Sequence, residues 1–151
     1  MTLKNVDEIL DYAIDREQEA HDYYLSLADR SKRPGMDLLF KQFAGEELGH
    51  KRKLESIKAG KRIPAKAKKV MDLKIAEYVV DVDDQGGDIS LQDALILAMK
   101  REKASFRLYT DLAASVEDEE VRVVFLGLAQ EEAKHKLRFE VEYDEVILTE
   151  N

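Results

Sequence analysis

An offset of 85 residues lays the helical core pattern of this chain onto itself, and it carries Glu17 onto Glu102, Glu47 onto Glu132 and His50 onto His135. In the first half, Val6, Leu10, Ala13, Glu17, Ala20, Tyr24 and Leu27 follow one another at spacings of four and three. Their offset partners are Leu91, Leu95, Ala98, Glu102, Ser105, Tyr109 and Leu112. A second stripe, Met36, Phe40, Phe43, Glu47, His50, Leu54 and Ile57, maps onto Val121, Phe125, Leu128, Glu132, His135, Phe139 and Glu142. Alternation of four and three is the inward seam of a packed α-helix, so the pattern predicts four helices whose seams meet in one core.

That core has to accommodate four carboxylates and two imidazoles. An ionised carboxylate buried without a partner costs several kcal/mol, and no Lys or Arg falls on any of the four seams. The counter-charge must then come from outside the chain. Two divalent cations would cancel four carboxylates and take the two neutral imidazoles as nitrogen ligands. A solvated charged face does not explain the pattern, because Phe40, Phe43 and Leu54 flank Glu47 and His50, and Phe125, Leu128 and Phe139 flank Glu132 and His135. One Glu-x-x-His arises by chance at roughly one His in ten, but two of them on core seams at one offset do not. Glu46 and Glu131 are also acidic and lie four residues before the histidines, yet only Glu47 and Glu132 continue the apolar seam. The candidate metal ligands are therefore Glu17, Glu47, His50, Glu102, Glu132 and His135.

With 44% hydrophobic and 37% charged residues, and only two prolines and seven glycines to interrupt it, the sequence suits long amphipathic helices with charged outer faces. The expectation is an all-α fold, one domain spanning residues 1–151. A net charge of -8 argues against nucleic acid as the main partner. The absence of cysteine removes disulfides, thiolate catalysis, zinc ribbons and Cys-ligated iron centres. Met1 to Glu8 carries no apolar signal-peptide core, and no apolar run reaches membrane-spanning length, so the expected setting is the cytoplasm, without a membrane partner.

The first helix is expected over about Val6 to Ala28, with Asn5 as N-cap and Glu8 completing a capping box. Ser31 to Gly35 reads as a turn. A second helix runs from Met36 to about Lys58 and ends at Gly60, a third starts after Asp88 or Ser90 and reaches about Ala114, and a fourth follows the Ser115–Asp118 link to about Leu148. From Glu17 to the turn and from the turn to Glu47 are about 12 residues each, a climb of roughly 18 Å on both legs, so the two carboxylates stand level. The same count levels Glu102 with Glu132. Residues 61–88 are too long for a tight turn and fit a crossover, basic, then apolar, then acidic, with a short helix over about Lys68 to Val80.

A Glu on each of two helices and a Glu-x-x-His on each of the other two resembles the ferritin-like di-iron or di-manganese carboxylate bundles. Arg16-Glu17-x-x-Ala20-x-x-x-Tyr24-x-x-Leu27-Ala28 and its echo, Arg101-Glu102-x-x-Ser105-x-x-x-Tyr109-x-x-Leu112-Ala113, resemble the rubrerythrin branch of that superfamily. The resemblance covers nearly the whole chain. It implies a four-helix bundle of two antiparallel hairpins joined by a long crossover. It also implies two Fe ions, or Mn in their place, with Glu17 and Glu102 as terminal ligands, Glu47 and Glu132 as bridges, and His50 and His135 completing one ion each. Rubrerythrins usually carry a further Glu one turn after the third-helix ligand, where this chain has Ser105, and commonly a four-cysteine rubredoxin-like domain, which this sequence lacks.

The resemblance implies a peroxidase or oxidase that reduces hydrogen peroxide or dioxygen with Fe(II) pairs. With no rubredoxin-like domain, an external electron donor is expected, and a homodimer is a further expectation. The competing reading is iron binding and ferroxidase activity for storage. It ranks second because cage-building ferritins typically add a short fifth helix, and the sequence given stops at Asn151, just after the fourth. Tyr24 and Tyr109 lie two turns from the terminal Glu residues on the same seams, where a hydroxyl either bonds a ligand carboxylate or is simply a satisfied core group. His21 has no histidine echo, Phe106 standing at the offset position, and reads as a boundary residue.

Overall fold

The computed structural model describes residues 2–3, 6–31, 33–60, 73–74 and 90–150. Four helices carry the fold: α1 Val6–Arg30, α2 Met36–Gly60, α3 Leu91–Ser115 and α4 Glu119–Glu150. Two short strands, β1 Thr2–Leu3 and β2 Leu73–Lys74, pair antiparallel, Thr2 opposite Lys74 and Leu3 opposite Leu73. The pairing corrects the expected helix over Lys68 to Val80 at Leu73 and Lys74, where the ladder takes up backbone groups that a helix would bond locally. The rest of that segment, and the expected Asn5 cap, lie outside the described residues.

Local chemistry sets the helix ends. Gly35 closes the first turn at φ 86°, a left-handed conformation that a Cβ disfavours, and its carbonyl accepts from the Leu39 amide at 3.2 Å. Of the two N-caps considered for α3, Ser90 takes the role: its hydroxyl accepts from the Asp93 amide at 3.1 Å. Asp118 caps α4 by accepting from the Glu120 and Val121 amides at 2.9 and 3.2 Å. Arg122 then closes the α3–α4 turn, donating to the Val116 and Ala113 carbonyls at 2.7 and 3.3 Å.

α1 packs closely along α2 and α3 along α4, while α2 and α4 approach each other more sparsely. The molecule is two antiparallel hairpins face to face, and the four seams fill the space between them. Nearly every described seam position is buried. Ser105 and Leu91 are half-buried, and Glu142 ends its seam as an ion pair with Arg138 at 3.0 Å, the core resuming at Val146. The apolar core is divided in two. One cluster gathers Leu10, Leu54, Leu112 and Phe125, the other Leu27, Phe40, Leu95 and Phe139, and the polar seam residues lie between them. No helix among the described residues is long and apolar enough to cross a membrane.

Candidate metal centre

Each hairpin sends one Glu from its first helix and a Glu-x-x-His from its second into the space between the two apolar clusters: Glu17 on α1, Glu47 and His50 on α2, Glu102 on α3, Glu132 and His135 on α4. None of the six is more than 5% exposed. They fall into two overlapping sets, Glu17, Glu47, His50 and Glu132, and Glu47, Glu102, Glu132 and His135, in each of which one donor atom per residue lies within 4.8 Å of the others. Glu47 and Glu132 belong to both.

The shared carboxylates reach across the bundle. His50 Nδ1 lies 2.8 Å from Glu132 Oε1 on the opposite hairpin, nearer than Glu17 Oε2 at 3.6 Å or Glu47 Oε1 at 3.8 Å. His135 Nδ1 lies 3.0 Å from Glu47 Oε1, also across the bundle, and 3.5 Å from Glu102 Oε1. The two rings are nearly parallel, 13° apart, with centroids separated by 6.0 Å. Both therefore turn Nδ1 inward.

Whether these residues fit metal ions can be tested on their own hydrogen bonding. Glu17 Oε2, Glu47 Oε1, Glu102 Oε2, Glu132 Oε2 and His135 Nδ1 are all buried without a hydrogen-bond partner. Leaving one such atom unsatisfied costs about 1–3 kcal/mol, and five gathered in one place are atoms that a cation would satisfy together. Hard carboxylate oxygens with one imidazole nitrogen per set suit divalent iron or manganese. The donor set fits.

Electrostatics agree with the geometry. Burial, followed by the charges of Glu102 and Glu17, pushes the Glu47 carboxyl well above its usual range. Burial and then the charges of Glu102, Glu47 and Glu17 do the same to Glu132. Burial also acts to raise Glu17, but the neighbouring His50 and Glu47 side chains outweigh it and bring the group below its usual value. His135 is raised: burial opposes its charge, yet Glu102 and Glu46 favour it more. Carboxylates this close cannot all stay ionised without a cation, so the shared pair holds protons that a metal would displace.

Tyr24 and Tyr109 are both fully buried, and each hydroxyl donates across the bundle to the other hairpin's Glu, Tyr24 to Glu102 and Tyr109 to Glu17. Burial and then the facing Glu charges push both phenols far above their usual range, so they act as donors. The sequence placed them near the Glu of their own helix; docking of the hairpins exchanges the partners. His21 lies off the site against Asp22 at 3.0 Å. Glu46 and Glu131 stay half-exposed, as their place off the seam implies. Sequence reasoning nevertheless missed that Glu46 reaches His135 Nε2, at 3.2 Å. The signal available was that Glu46 and Glu131 are themselves related by the offset of 85.

The family profile of Rubrerythrin matches residues 8–143. Among solved structures, a ferritin-like diiron-carboxylate protein from Thermotoga maritima superposes with a TM-score of 0.77 at 21% identity, covering 95% of this chain and 97% of that one. A hypothetical protein from Pyrococcus furiosus superposes with a TM-score of 0.71 at 26% identity, covering 91% and 87%. No curated protein matches the sequence.

Proposed function

The chain belongs to the rubrerythrin family, and from that premise we propose that it is a di-iron oxidoreductase that reduces hydrogen peroxide or dioxygen. The observation that carries this reading is the pair of donor sets sharing Glu47 and Glu132, lined by five buried atoms without partners. Glu17 and His50 would hold one metal, Glu102 and His135 the other, and the shared carboxylates would span them. An Fe(II) pair bound there supplies two electrons, the number that takes hydrogen peroxide and two protons to two waters.

The protein's own contribution is positional and electrostatic. The apolar clusters on either side keep bulk water from the carboxylates, which strengthens every charge interaction among them. Tyr24 and Tyr109 fix Glu102 and Glu17 by their hydroxyls, leaving the second oxygen of each, both unpartnered, free for a metal. Re-reduction of the iron pair would fall to an external electron donor.

The reading is tested by loading the protein anaerobically with two Fe(II) per chain, adding one equivalent of peroxide and recording the near-ultraviolet absorption. The expected result is a ferric band that is bleached by reductant and returns with a second addition of peroxide. Iron accumulating well beyond two per chain, with no reversible band, would favour storage instead.

A further inference from the structure

The outer side of α4 carries a second seam. Val123 and Val141 each lie nine residues, or two and a half turns, from Glu132, which places them opposite the face that lines the metal site. With Leu126, Leu137 and Leu148 they follow the same steps of three and four as the inner seams, Gln130, Ala133 and Asp144 filling the remaining steps. All five large apolar side chains are between 44 and 78% exposed. The other helices show nothing comparable: among the described residues, the large exposed apolar side chains of α1, α2 and α3 are Leu25, Leu38 and Phe106, one on each. A helix that is apolar on two opposite faces is suited to being covered on both. α4 is also the longest element, 32 residues against 25 for each of the other three helices. Beside Leu126, Gly127 has open space where a Cβ would stand, so nothing around it in the chain requires a residue that costs a helix about 1 kcal/mol against alanine.

We propose that this seam is the contact between two copies of the chain, laid antiparallel across a two-fold axis beside Leu137. A stripe that belongs to a single helix finds its complement in the same stripe of a second copy, and a self-complementary contact of that kind closes as a dimer. The spacing of the seam is symmetric about Leu137: Ala133 and Val141 lie four residues to either side, Gln130 and Asp144 seven, Leu126 and Leu148 eleven. Asp144, the one charge on the seam, decides the orientation. Parallel helices would set it against Asp144 of the partner subunit inside an apolar contact, where two unpaired carboxylates are costly. Antiparallel helices bring it level with Gln130 of the partner subunit, and bring Leu126 level with Leu148 of the partner subunit. From Val123 to Leu148 the seam is about 38 Å long. Packed helices lie about 8–10 Å apart, so marginal side chains such as Lys134 and Glu140 join the contact. Roughly 15–20 residues of each copy then take part, at or below the 20–30 of a standard interface, so the dimer is one that dissociates on dilution. The contact lies on the back of the helix that carries Glu132 and His135, and it leaves the ligand face untouched.

Sedimentation equilibrium of the intact protein over a wide range of concentration tests the proposal, and wild type should show a monomer–dimer equilibrium. Leu137→Lys, at the axis, should raise the dissociation constant about 30-fold or more while leaving the helical circular dichroism unchanged. Leu38→Lys, which alters a comparably exposed leucine on α2, should leave the equilibrium as it is. The sequence contains no cysteine, so introduced ones report the orientation. Under mild oxidation a mixture of Leu126→Cys and Leu148→Cys proteins should form a disulfide-linked mixed dimer, and each alone should stay largely unlinked. Self-linking of each variant without mixing would mean parallel helices and would overturn the arrangement. A monomer at every concentration, a dimer that Leu137→Lys leaves intact, or a monomer whose seam instead binds phosphatidylcholine vesicles would overturn the interface itself.

Discussion

Replacing Glu132 with alanine is expected to empty both metal positions, whereas Glu17→Ala or Glu102→Ala should empty one. Glu132 belongs to both donor sets, and each terminal Glu to one. Metal per chain, measured after Fe(II) loading and desalting, distinguishes the three variants. The metal-free proteins should behave in the opposite sense. Glu132 is completely buried, and burial together with the charges of Glu102, Glu47 and Glu17 already works against its ionised form. Removing a carboxyl buried among other carboxyl groups relieves the cost of holding it there, offset by the small cavity that alanine leaves. Metal-free Glu132→Ala should therefore unfold in urea at a midpoint no lower than metal-free wild type. A bundle that merely tolerated an adventitious ion would show the same stability with no difference in metal content between Glu132→Ala and Glu17→Ala.

The second large effect is a dependence of stability on pH that metal reverses. Glu47 and Glu132 have carboxyl groups held well above the ordinary value of about 4.3, so the metal-free folded protein binds protons that the unfolded chain has already lost. The resulting stability is complete below the unfolded value and is lost as pH rises through the folded values. His135, also raised, acts in the same direction from its ordinary value upward. Glu17 is lowered and acts the other way, its contribution vanishing only as pH falls through the acid range. Between about pH 5 and pH 8 the first three dominate, and the metal-free protein should lose stability with rising pH. Metal inverts this, because its ligands must shed their protons and binding improves as they do. At free metal a thousandfold above the dissociation constant, one site adds about 4 kcal/mol, roughly 8–16 °C in Tm for a chain of this size. Thermal unfolding at both pH values, with and without Fe(II) under anaerobic conditions, should show the metal-induced rise growing with pH. A metal-free Tm that climbed over that range would contradict the assignment of the protons.

What the sequence made legible and what it did not divide along a physical line. Spacing along one helix determines which face is buried, which is why Glu47 and Glu132 were separable from Glu46 and Glu131. Rise per residue around a short turn levels the two legs of a hairpin, which is why Glu17 and Glu47 came out at one height. Both arguments stop at the hairpin. How one hairpin docks on the other depends on side-chain packing across the bundle, and no spacing encodes it. That docking assigns Tyr24 to Glu102 and Tyr109 to Glu17, places Phe43 against His135 and puts Glu46 behind it. The strand pairing of Leu3 with Leu73 was illegible for a similar reason, since two residues on each side are too few to show a period.

The central claim is that each half of the repeat supplies half of a two-metal site. The most direct test is the identity and number of metal ions per chain in protein purified without chelators, by mass spectrometry of the metals against amino-acid analysis. The account predicts two irons per wild-type chain and none in Glu132→Ala. One ion per chain in both proteins, or zinc bound equally in both, would contradict it.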